Sequence, residues 1–189
     1  MPAKPATRGR PSSREAMLDA AIAVVTEQGA ARLTLDAVAR AAQVSKGGVM
    51  YHFPTKESLL QALVTRAIEH TQQNWEQAQQ RLPDQPGRGL RAYVQASTAE
   101  RPDQDPFSSA LLAVVPGDPQ LLEPVRTYFK ERMPALSEGL PFERTALVYL
   151  ATEGLWLLEL IGASPYSRSQ RSKVQALLKR LAAEGGSLP

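Results

Sequence analysis

TLDAVARAAQVSKGGVMYHFPTKESLL, Thr34 to Leu60, is the stretch whose reading decides the fold. Thr34 is a side-chain cap for a short helix carrying Leu35, Val38 and Ala39. Asp36 falls in its first turn, where the helix dipole favours an acid. Ala41-Ala42-Gln43-Val44 is a short connection, and Ser45 caps a third helix running to about Phe53. Pro54 ends it, because the residue before a proline avoids helical geometry, and Thr55 caps a fourth helix. Two capped helices around a brief turn within residues 34–53 have the size of a helix-turn-helix unit. In such a unit one helix crosses the DNA backbone and the next enters the major groove. The third helix opens Ser45-Lys46-Gly47-Gly48, and each glycine weakens it by about 1 kcal/mol relative to alanine. What glycine permits is close approach of the backbone to another surface. In a basic segment, that favours DNA over a poor helix end with no partner.

Upstream, Met17, Ala20, Ala21, Val24 and Val25 recur at helical spacing until Gly29, and Ser12 with Glu15 fits a capping box. Residues 1–12 hold Pro2, Pro5 and Pro11 among Lys4, Arg8 and Arg10, the composition of a disordered basic arm. Downstream, Leu60, Leu63, Val64, Ala67, Ile68, Trp75 and Ala78 line one face of the fourth helix, a rod of roughly 40 Å that breaks at Leu82-Pro83. Further helices are expected over 88–100, 107–115 and 119–138, with Pro134 kinking or ending the last. The helix Phe142 to Ile161 is nearly apolar all round, as if buried on more than one side. The helix Ser169 to Ala183 is amphipathic, and no region alternates at period two, so the fold class is all-α. The chain divides into an arm (1–12), a three-helix helix-turn-helix domain (13–56) and a larger helical domain (57–189).

A chain of 189 residues buries about 70% of the surface exposed when unfolded, so it requires no staples. It has no cysteine and only His52 and His70, which excludes disulfides, thiol catalysis, zinc ribbons and iron–sulfur centres; neither metal nor cofactor is expected. Residues 1–56 hold eight Lys/Arg against four Asp/Glu, and residues 57–189 fourteen against fifteen, so the positive excess lies wholly in the first third. The longest apolar stretch, Ala146 to Gly162, contains Glu153 and Glu159, which a bilayer core penalises. No apolar run follows the basic N-terminus as in a secretory signal, and the reading is of a cytoplasmic protein without membrane contact.

Thr34 to Leu60 resembles the N-terminal DNA-binding domain of the TetR family of bacterial transcriptional regulators. REAMLDAAIAVVTEQG is similar to that family's first helix. The match spans roughly residues 13–65, with the glycines, Tyr51-His52-Phe53-Pro54 and Lys56 in register; the rest resembles the family in being helical and of suitable length. The resemblance implies that Thr34 donates to a phosphate and that Ser45, Lys46 and Gly47 open the recognition helix against backbone and base edges. It implies phosphate contacts for Tyr51, His52 and Lys56, and a core role for Phe53. One position departs: the residue two before His52, commonly tyrosine in the family, is Met50. A thioether cannot donate to phosphate, so that contact is replaced by an apolar one or lost. Gly48 leaves a groove-facing position bare. Each residue also has a plainer reading, since Thr34 and Ser45 cap any helix, Tyr51 and His52 could be structural, and Lys46 and Lys56 could be solvated.

The resemblance further implies a homodimer through the helices Phe142 to Ile161 and Ser169 to Ala183, the lesser alternative for the first being the centre of a monomer core. A two-fold dimer sets its recognition helices about 34–36 Å apart and prefers pseudo-palindromic double-stranded DNA. A pocket for a small-molecule effector is implied among helices four to eight. Trp75, Tyr93, Phe107, Phe129, Glu153 and Trp156 are candidates for its lining, because aromatics and a rare acid suit a mixed pocket; ordinary core is the alternative. Were Glu153 buried in it, a cationic effector would suit. No nucleophile elbow, phosphate loop, dinucleotide fingerprint or His-Glu-x-x-His site is present, so an enzyme ranks last. An architectural DNA binder needs basic surface throughout, against the balance of residues 57–189. The favoured reading is a dimeric, sequence-specific repressor released by an effector.

Overall fold

Residues 13–99 and 119–183 are described in this computed structural model; among them eight α-helices and two short 3₁₀ turns form, and no strand. The helices are α1 (Ser13–Gln28), α2 (Leu35–Ala41), α3 (Lys46–His52), α4 (Lys56–Gln80), α5 (Arg88–Ala99), α6 (Glu123–Leu136), α7 (Phe142–Leu160) and α8 (Arg168–Ala183). The basic arm, the Ser12 cap, Phe107 and the expected 107–115 helix lie outside the described residues.

The cap residues act as their chemistry dictates. Thr34 Oγ1 accepts from the Ala37 amide and Ser45 Oγ from the Gly48 amide, both at 3.0 Å. Thr55 and Ser58 form a reciprocal capping box, each side chain accepting the other's backbone N–H at 3.1 Å. The turn between α2 and α3 is a Schellman motif: Val44 N donates to Ala39 O at 3.0 Å and Gln43 N to Arg40 O at 3.2 Å. Its left-handed position, φ 56°, is Gln43.

Two apolar clusters hold the chain. The first joins Leu18, Ala21 and Val24 of α1, Val38, Val49 and Phe53 to Leu59, Leu63, Val64 and Ala67 of α4, and takes in Leu121 and Val125. The second gathers Trp75 and Ala78 of α4, Leu90 and Tyr93 of α5, Leu136, Val148, Leu155 and Leu178. Both α4 and α6 therefore reach from one cluster to the other. Arg66 pins α4 to α1 through Asp19 and Glu15. Pro134 lies inside α6, which ends two residues on at Leu136.

The long apolar helix α7 is covered on one side only within a single chain. Thr145, Val148, Thr152 and Leu155 are buried, while Phe142, Leu147, Leu150, Leu157 and Ile161 are exposed. Among the described residues no helix is long and apolar enough to cross a membrane.

Candidate nucleic-acid interface and effector cleft

The third helix is anchored from beneath and bare above. Val49 and Phe53 are its buried residues, 0% and 1% exposed, and both sit in the first cluster. Tyr51 is 84% exposed and Met50 44%. Lys46 is exposed and its Nζ meets Asp36 Oδ2 at 2.9 Å, tying the start of α3 to the first turn of α2. A pair this open to water is worth little, so the lysine is easily exchanged to another anion. A Cβ on Gly47 would meet nothing closer than Ser45 Oγ at 4.0 Å, whereas one on Gly48 would press that capping oxygen at 3.3 Å. Gly47 thus leaves the surface open, and Gly48 also protects the cap.

Thr34, Ser45 and Lys56 are exposed at helix starts. Thr34 and Ser45 each use the side-chain oxygen for capping, which leaves the hydroxyl hydrogen free to donate outward. His52 is half-buried, and its Nε2 lies 3.2 Å from Ser13 Oγ, a link between α3 and the first residue of α1. Its ring also packs edge-on against Tyr51 at 5.1 Å. The guanidinium of Arg14 stands 5.3 Å above the Phe53 ring. Thr34, Ser45, Lys46, Gly47, Gly48, Met50, Tyr51, His52 and Lys56 thus fall on α3, on the caps of α2 and α3 and at the start of α4, with α2 and α3 tied by the Lys46–Asp36 pair.

The residues singled out for the pocket fall into separate places. Between α4 and α6 runs a cleft of about 400 Å³ lined by Ile68, Glu69, Gln72, Trp75, Tyr128, Glu131, Arg132 and Ala135. A second hollow, about 560 Å³, continues it towards the DNA-binding end along Gln61 and Thr65, sharing Ile68, Glu69, Tyr128 and Glu131. Trp75 faces this cleft, and its indole N–H donates to Gly89 O at 2.9 Å. Tyr93 donates its hydroxyl to Glu153, and burial together with that carboxylate raises the tyrosine pKa well above the usual range. Phe129 packs against Tyr128 and Tyr149 at 5.4 and 6.1 Å. Trp156 instead lines a narrow gap with Ser97, Thr152 and Leu155.

Sequence reasoning misses Arg132, Tyr128 and Tyr149. Arg132 is 5% exposed, its guanidinium 4.4 Å from the Trp75 ring centre, 4.9 Å from Tyr128 and 5.8 Å from Tyr93. Burial pulls its pKa down to about 10, so it stays charged at neutral pH. Trp75, Tyr128 and Tyr93 thus surround a cation of the chain itself. The available signal is the i, i+4 spacing of Tyr128 and Arg132 on one helix face.

The family model described as "Bacterial regulatory proteins, tetR family" matches residues 17–63, and that described as "Tetracyclin repressor-like, C-terminal domain" matches residues 87–183. The HTH-type transcriptional regulator SrpR of Pseudomonas putida is 42% identical over 52 residues, 28% of this chain and 24% of that protein. TtgW, also of Pseudomonas putida and described as an uncharacterized HTH-type transcriptional regulator, is likewise 42% identical over 52 residues, 28% of this chain and 39% of that protein. The match therefore spans well under half of either relative. Among solved structures, the multidrug binding protein EbrR complexed with ethidium is 26% identical, with a TM-score of 0.62 over 90% of this chain and 98% of that one. The fatty acid degradation regulator FadR from Bacillus halodurans has a TM-score of 0.70 at 14% identity, over 93% of this chain and 96% of that one, and shows the fold alone.

Proposed function

The chain belongs to the TetR family of bacterial transcriptional regulators, and from that premise we propose that it is a homodimeric, sequence-specific repressor released from its operator by a small molecule. The observation that carries the DNA half is the surface of α3. Val49 and Phe53 lock the helix into a core, while Lys46, Met50 and Tyr51 project beside two glycines that let the backbone come close. Thr34, Tyr51, His52 and Lys56 hold phosphates and set the register; Lys46 and Met50 meet base edges. Recognition by residues 13–56 is passed to residues 57–189 through α4.

Two copies join through α7 and α8. Leu147, Leu150, Leu157 and Ile161 form one exposed stripe, and Gly154 within it has nothing within 4 Å of a would-be Cβ, so a partner helix can approach closely. An apolar stripe of this size favours a partner over water. The effector enters between α4 and α6. EbrR in complex with ethidium supports a ligand-taking domain of this shape. A molecule wedged there separates two helices that each span both clusters, and so moves the recognition unit. A binding preference of about 1–3 kcal/mol for the moved state would loosen DNA by about 5–150-fold.

Selection from a random duplex pool at about 150 mM salt tests the reading, because that salt suppresses non-specific attraction. An enriched inverted repeat with half-sites about one helical turn apart is the expected result. Binding without enrichment would instead support an architectural role.

A further inference from the structure

The cleft between α4 and α6 holds a positive charge without a counter-group in contact. Arg132 Nε and Nη1 are buried and have no hydrogen-bond partner, and Arg132 makes no ion pair among the described residues. The Tyr128 hydroxyl, one turn earlier on the same helix, is likewise buried and unpartnered. The rings of Trp75, Tyr128 and Tyr93 attract the guanidinium but offer its N–H groups no oxygen lone pair. Glu153 and Glu76 favour its charge through their fields, yet Glu153 accepts the Tyr93 hydroxyl. Buried donors left without acceptors are costly, and three in one cleft mark the place where acceptor oxygens belong.

Resting on the reading that this domain binds an effector, we propose that Arg132 and Tyr128 anchor the carboxylate of an apolar or aromatic organic acid, whose body lies against Ile68, Trp75 and Ala135. The carboxylate supplies oxygens to the open donors, and the charge-assisted bonds to a guanidinium are the strong ones. Trp75 offers a flat apolar wall that already flanks the arginine. Glu69 and Glu131 are exposed on the lining and repel polyanions, so the site takes one negative charge rather than several. A cationic dye would have to evict Arg132 from its cage.

Calorimetry on the full chain, with phenylacetate, indole-3-acetate and octanoate set against their carboxamides and against ethidium, tests this. At least one acid should bind about tenfold or more tightly than its amide. Arg132→Met should abolish that preference while leaving amide affinity and the melting temperature no lower. Tyr128→Phe should weaken the acid several-fold with the fold intact, and it keeps the test decisive if the arginine variant misfolds. Equal affinity of acids and amides, binding of ethidium alone, or binding of none of the probes would overturn the inference. Release of the selected operator by ethidium or an amide would overturn it while the effector reading stood. Acid binding that leaves the operator bound would uphold the Arg132 site and overturn the effector reading.

Discussion

Tyr51 and Met50 are neighbours on α3 with different chemistry, and their variants should fail differently. Tyr51 is 84% exposed and carries a hydroxyl that can reach a phosphate; Met50 is 44% exposed and can only make apolar contact. Tyr51→Ala should lower affinity for all sequences alike. Lys56→Ala should do the same and also reduce the slope of log affinity against log salt by about one, because a phosphate-neutralising charge is gone. Met50→Ala should leave that slope unchanged and relax preference at one base pair, as expected when an apolar side chain meets a thymine methyl. Competition binding across a salt series separates the three; a shifted consensus from Lys56→Ala would contradict its assignment. The caps Thr34 and Ser45 were legible because each acts at short range, whereas the roles of Tyr51, Met50 and Lys56 come from the family resemblance alone. His52 shows the limit. Its bond to Ser13 joins positions 39 apart in the chain, and no local pattern announces it.

At the scale of elements, α2 and α3 could be placed from sequence because their ends are written in Thr34, Ser45 and Pro54. The turn between them hides one anomaly. Gln43 holds the left-handed position that a Schellman motif usually gives to glycine. That conformation costs an L residue about 1–2 kcal/mol, and glycine's added freedom in the unfolded chain offsets about 0.4–1 kcal/mol of the relief. Gln43→Gly should therefore stabilise the protein by roughly 0.5–1 kcal/mol, seen as a higher urea midpoint at unchanged slope. The opposite sign is expected where α5 crosses α6. A Cβ on Gly89 would stand 2.3 Å from the Ala135 carbonyl oxygen, a backbone atom that cannot step aside. Gly89→Ala should destabilise by about 1–3 kcal/mol by forcing the helices apart, and should disturb the Trp75 indole bonded to Gly89 O. The cleft beside this crossing was less legible than the caps. Trp75 and Tyr93 could be named as aromatics on apolar faces, but an arginine on a helix reads as solvated, and only packing of α4, α5 and α6 reveals Arg132 as buried.

For the molecule as a whole, the two clusters and the uncovered face of α7 belong to one argument. In the proposed dimer each chain would present one α3 to one half-site, and the preference for an inverted repeat would come from joining two. Linking two sites raises the overall affinity by about 10²–10⁴ without any new contact. Such a join would have to be rigid enough for a change between α4 and α6 to alter the spacing of the recognition helices, and the exposed leucines of α7 offer apolar surface for it. Leu150 is 65% exposed, one turn from Gly154 in the middle of the stripe. Leu150→Glu puts a charge where the proposed partner helix would come closest, and burying it unpaired is costly. Within one chain the same side chain faces water, so the fold should be unaffected. Sedimentation at micromolar concentration should show a folded monomer in place of a dimer, with unchanged helical circular dichroism. Affinity for the full operator should fall by at least about 10²-fold, towards that for a single half-site. A variant that stayed dimeric and kept its operator affinity would move the interface away from α7 and leave its apolar face to another partner.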